Sequence, residues 1–225
     1  SVAMFLIMPI VLVVSMQLQR QSGENLGPVP WEFLGPFSLA MLVGLSTCQD
    51  LAYDGTAMWT HLTSGMPGRA DRLGRLIALG VVVGPLFVVL QIAAAALSGR
   101  WDLVLPSTAV GLAAALGGAG VASWVGAILQ SPAAPAGANP FRTSNGGGLQ
   151  AIIATTVTLA ASGMLAVPVV ALAWIGLDRP WAAVAAPIVG LGIGLGSLAL
   201  GSRLGGAYLD GHWPEVLTNV SEKHA

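Results

Sequence analysis

The chain has 225 residues, of which 55% are hydrophobic and only 8% charged, with a formal net charge of −1. Its mean hydropathy is +0.78. A soluble domain of this size has no use for so much apolar sequence, and no basic stretch interleaved with aromatics points to a nucleic-acid partner.

Six long apolar runs are predicted to form membrane-spanning helices, near Val2–Met16, Trp31–Cys48, Leu76–Ser98, Ser107–Leu129, Gln150–Ile175 and Ala182–Ser202. The hydrocarbon core takes about 20 helical residues to cross. Backbone groups cannot stay unpaired in lipid, so each run is read as a helix. The predicted fold class is all-α, a polytopic transmembrane helical bundle forming a single transmembrane domain over residues 1–225. The first run would reach only about 22 Å at 1.5 Å per residue. The chain opens at Ser1 without a methionine, and the expectation is that further sequence precedes it.

The first polar connection holds Arg20. The second, Gln49–Arg75 (QDLAYDGTAMWTHLTSGMPGRADRLGR), is the richest polar segment. Leu51, Met58, Trp59, Leu62 and Met66 recur at helical spacing, so a short interfacial amphipathic helix is predicted between spans two and three, ended by Met66-Pro67-Gly68. Asp50, Asp54 and His61 project from its other faces. A further helix then carries Arg69, Asp71, Arg72 and Arg75 into the third span. The segment fits two roles: an anchor that fixes topology, or a docking element for a partner.

Within the spans no Asp, Glu, Lys, Arg or His lies deep in the apolar run. A carrier driven by protons or sodium usually needs such a group. The remaining polar groups are Gln91 and the set Thr155, Thr156, Thr158 and Ser162. Gln91, Thr155, Thr158 and Ser162 are candidates for a substrate path; the competing role is bonding within or between helices. Glycines stud the fourth and sixth runs. Gly190, Gly192, Gly194 and Gly196 form two overlapping G-x-x-x-G spacings, which let helix backbones approach closely within the chain or at a seam with another copy. The fourth connection, Ser131–Gly148, is flexible by composition. Its Asn145-Gly146-Gly147-Gly148 is not a phosphate loop, because no lysine follows.

Six of the nine Lys and Arg residues (Arg69, Arg72, Arg75, Arg142, Arg203 and Lys223) fall on one side of the predicted topology, and Arg20, Arg100 and Arg179 on the other. The richer side, with the Gln49–Arg75 loop and the C-terminal tail, is assigned to the cytoplasm. Trp31, Trp59, Trp101, Trp174, Trp181 and Trp213 lie near span ends and read as interfacial anchors. The single cysteine, Cys48, excludes an intrachain disulfide, and the three histidines have no metal-ligand spacing.

At Gln49–Leu79 and Pro135–Gly148, followed by an apolar span containing Pro168, the chain resembles the membrane (permease) subunits of type-2 ATP-binding-cassette exporters of actinobacterial type. The resemblance implies the C-terminal part of a longer, multi-pass cell-membrane permease. It implies no catalysis and no bound cofactor in this chain, with ATP and magnesium held by a separate ATPase subunit. It also implies a second permease half or copy. The coupling segment of such permeases maps to Asp50, Asp54, Trp59, Leu62, Arg69 and Arg72. The cargo would be hydrophobic or amphipathic. A non-transporting membrane scaffold is the alternative, and an intramembrane enzyme lacks any catalytic grouping.

Overall fold

A computed structural model describes residues 34–130 and 147–221, with positions 7, 11, 14, 15, 18 and 22 before them. Every described element is helical. In chain order these are α1 (Leu34–Cys48), α2 (Asp50–Asp54), a 3-10 turn (Gly55–Met58), α3 (Trp59–Ser64), α4 (Gly68–Ser98), a second 3-10 turn (Trp101–Leu103), α5 (Val104–Ile128), α6 (Gly147–Ile175) and α7 (Pro180–Ser221).

Four stretches are long and apolar enough to cross a membrane: Gly68–Ser98, Trp101–Ile128, Leu149–Ile175 and Pro180–Val220. They correspond to the third through sixth predicted spans. The expected Val2–Met16 span lies largely outside the described residues, as does the Ser131–Gly148 connector. The second predicted span is represented by α1, with 15 residues.

The helix of the third span begins at Gly68, so Arg69, Arg72 and Arg75 occupy its first two turns, continuous with the span as the predicted helix there is. One boundary differs from expectation. The helix of the sixth span runs past Ser202 to Ser221, with a break at His212 (φ −133°, ψ 17°) two residues before Pro214. The polar C-terminal stretch is therefore a helical extension of α7 through residue 221.

Helix α5 is the hub. In its apolar window 61% of residues are buried, against 22%, 28% and 17% for the other three candidates. Its small side chains explain this, since close helix approach in lipid depends on them. It packs most extensively on α7, then on α1 and α6. A side chain at Gly120 would strike Ser197, and one at Gly201 would strike the Gly120 backbone. Gly118 likewise leaves room for Ser162 of α6 and Gly44 of α1.

The glycines of α7 sort by face. A Cβ on Gly190 would lie 2.9 Å from the Ala109 oxygen, and one on Gly194 would lie 2.7 Å from Leu116 Cβ. Gly192 and Gly196 are exposed and have nothing within 4 Å of that position. Within this chain the close-approach face is the 190, 194, 201 and 205 row.

Helix α4 is tied by polar contacts near its two ends, while Val83, Phe87 and Leu90 along its middle pack in an apolar cluster with Val43 of α1 and Ala119 of α5. At the first end the Gly68 amide donates to Asp210 Oδ1 of α7 at 2.6 Å. There Gly206 sits against the Arg69 backbone, where an added Cβ would lie 2.5 Å from the Arg69 nitrogen. Toward the other end Gln91 Nε2 donates to Thr108 Oγ1 at 2.7 Å and to Ser107 Oγ at 3.2 Å. Between these ties lies an apolar cavity of about 400 Å3 bounded by α1, α4, α5 and Leu198 of α7. Pro85 is inside α4 at this level and removes one intrahelical hydrogen bond there.

Candidate functional site

The residues between Cys48, the end of α1, and Gly68, the start of α4, do not form one amphipathic helix. They fold as α2, a 3-10 turn and α3, closed by Gly65 in the left-handed region at φ 64°. That glycine tolerates a backbone conformation most residues avoid, and its amide caps His61 O. The break splits the expected apolar face in two. Leu51 and Met58 are buried in a cluster with Leu209, Trp213 and Val216 of α7. Trp59, Leu62 and Met66 are exposed, as is Tyr53 of α2.

Under this cap lies a network of charged groups. Arg72 is enclosed, its side chain 0% exposed. Its guanidinium donates to Asp50 Oδ1 at 3.1 Å and to Asp71 Oδ2 at 2.7 and 3.0 Å. Arg75, one turn on from Asp71, donates to both Asp71 oxygens at 3.0 and 3.1 Å and pairs with Asp54. It also donates to the Asp50 carbonyl at 3.4 Å. Three carboxylates thus face two guanidiniums, and both ends of α2 are bound to the first turns of α4. Burial pushes the Asp50 carboxyl above the usual carboxylate range, and the nearby Arg72 and Arg75 only partly oppose this.

His61 of α3 lies beside the network, with its buried Nδ1 lacking a hydrogen-bond partner among the described residues. Its Nδ1 is 3.4 Å from Asp71 Oδ1, and its ring stacks on Trp213 at 5.8 Å. Trp213, expected to be an interfacial anchor, is instead 8% exposed, because the extended α7 brings it back under α3. Trp59, Trp101, Trp174 and Trp181 are exposed near helix ends, as anchors are.

The predicted coupling residues therefore separate into two groups. Trp59, Leu62 and Arg69 are exposed. Asp50, Asp54 and Arg72 are engaged inside the chain, and Arg72 has no surface to offer a partner. Asp71 was noted in the sequence only as part of the helix leading into the third span. It is the shared acceptor of both arginines, and its i,i+4 spacing to Arg75 was the one available signal.

The predicted substrate-path residues do not line the large cavity. Gln91 bonds to α5 as described. Thr158 is fully buried and donates to Cys48 Sγ at 3.6 Å, joining α6 to α1. Ser162 donates to Thr158 O at 2.6 Å within α6. Thr155, one turn before Thr158, is half-buried. Gln91, Thr158 and Ser162 serve bonding within and between helices.

Among the described residues no group of three or more His, Cys, Asp or Glu is placed to hold a metal ion. No family model, curated protein or solved structure matches the chain.

Proposed function

We propose that this chain is the permease subunit of an ATP-driven transporter in the cell membrane, exporting a hydrophobic or amphipathic compound. A separate ATPase, carrying ATP and magnesium, docks on the α2–α3 cap from the cytoplasm. One observation carries the reading: the cap is exposed and aromatic outside and ion-paired inside. Tyr53, Trp59, Leu62 and Met66 offer a partner an apolar surface. Asp50 and Asp54 tie the same cap to Arg72 and Arg75 of α4, which also share Asp71 of their own helix, so a push on the cap is delivered to a long helix. Rigid-body movement of docked helices is an established way to alternate access.

The engagement of Gln91, Thr158 and Ser162 in helix packing favours a second reading, a membrane scaffold without a polar transport path. Purification from native membranes separates the two. The permease reading expects an ATPase with a complete P-loop to co-purify, and Trp59→Ala to release it. Recovery of a well-folded chain with no ATPase would leave the scaffold.

A further inference from the structure

The cavity between α4 and α5 is bounded along α4 by Leu76, Gly80, Val83, Gly84, Phe87 and Val88. These residues span about 18 Å at 1.5 Å per residue, the reach of a long acyl chain. The remaining lining is Ala, Val and Leu, so the cavity offers an occupant no hydrogen-bonding side chain. Gly80, Gly84 and Val88 are exposed as well as lining, so the cavity opens sideways, toward lipid when the helices are embedded. Its ~400 Å3 falls in the range of small-molecule sites. A helix 10–12 Å wide over the same length would need on the order of 1,400 Å3, so a neighbouring helix does not fit.

A cation marks one end. Arg69 lies seven residues before Leu76, on the same helical face as Leu76 and Val83, about 10 Å along the axis. It is exposed and, unlike Arg72 and Arg75, makes no ion pair among the described residues. A long arginine at this level can meet an anionic headgroup while the cavity holds the tail.

We propose that this cavity binds the acyl chain of an anionic amphiphile, with Arg69 facing its headgroup. The site requires only that the chain is membrane-embedded, and it stands or falls separately from coupling to an ATPase. The ligand chemistry is shared by a resident bilayer lipid and by an exported lipid-like compound.

The test uses the purified chain in nanodiscs of uncharged phosphatidylcholine, with a diazirine-bearing long-chain fatty acid as probe and its methyl ester as the uncharged control. Cross-linked peptides are mapped by mass spectrometry. The expected result is labelling concentrated on α4 and the α5 cavity wall. Gly84→Leu fills open space in the cavity and should cut labelling about tenfold or more. Gly74→Leu also fills open space, outside the cavity lining, and should leave labelling unchanged. Arg69→Gln should weaken labelling by the acid and not by the ester. Release of pre-bound probe on adding the ATPase and ATP would identify exported cargo, and retention would identify a resident lipid; either leaves the site standing. Labelling spread evenly over all exposed apolar helices, or equal in the two leucine variants, would overturn the proposal. So would a Gly84→Cys variant that cross-links two copies while excluding the probe.

Discussion

Arg72 and Asp50 are 22 residues apart in sequence and 3.1 Å apart in space, with the arginine side chain wholly enclosed. A buried charge pair of this kind is weak evidence for net stability, because desolvation offsets much of the attraction. Removing one partner is different, since the other is left charged and unpaired.

Arg72→Met is therefore expected to destabilise the chain by about 3–5 kcal/mol. Asp71 keeps Arg75, but Asp50 loses its only side-chain donor among the described residues. Unfolding by denaturing detergent from mild micelles would measure it. An unchanged transition would show that the network is dispensable.

Asp50 gives a pH signature. Its folded-state pKa is raised, chiefly by burial. Proton binding then favours the folded state. The stability it contributes is fully present below the unfolded value of about 3.9 and is lost as pH rises through the raised folded value. Asp50→Asn has no such proton to bind. The difference in Tm, parent minus variant, should grow as pH falls from neutrality through that window. A difference that shrinks on acidification would contradict the burial argument.

The glycine rows make opposite predictions. Gly201→Ala drives a methyl group into the Gly120 backbone and should cost about 1–3 kcal/mol or more, as overpacking does. Gly192→Leu and Gly196→Leu meet open space and should leave the folded monomer within about 0.5 kcal/mol of the parent. Size-exclusion and thermal unfolding in detergent would read both. If the leucine variants fold normally but lose self-association, the outward row is a seam between copies.

The outer surface of the cap can be separated from its inner ties. Trp59→Ala and Leu62→Ala should change stability by less than about 0.5 kcal/mol while abolishing ATPase stimulation. Asp54→Ala should instead cost about 1 kcal/mol of stability through its part-exposed pair with Arg75. Normal stimulation by both apolar variants would make the cap an anchor only.

Orientation is tested at Thr63, which is exposed on α3. A cysteine there, with Cys48 replaced, should resist an impermeant thiol reagent in intact cells and react after permeabilisation. Labelling from outside would invert the topology.

Much of this architecture was legible because hydrophobic length is a strong signal. The apolar runs that became α4 to α7 needed nothing else. The ends were harder. Arg69, Asp71, Arg72 and Arg75 read as the start of a helix, but nothing in their order shows that Arg72 and Arg75 pair with Asp50 and Asp54 from another element. Pairing at that separation has no period to read. The overlapping glycine spacings at 190–194 and 192–196 are equivalent on paper. Only the position of Leu116 and Ala109 on α5 decides which row is buried. The inward turn of Trp213 depended on α7 continuing past Arg203, where the polar sequence gave no apolar run to follow.

Helix α4 resembles a beam with polar fasteners at Gly68 and Gln91 and only apolar packing, from Val83 and Phe87, along the span that holds its proline. Such a beam bows most easily at midspan. Curvature at Pro85 would change the width of the hollow behind it while both fasteners stay closed. On the proposed permease reading, a load on the α2–α3 cap would alter the volume beside α4 without breaking a single buried ion pair.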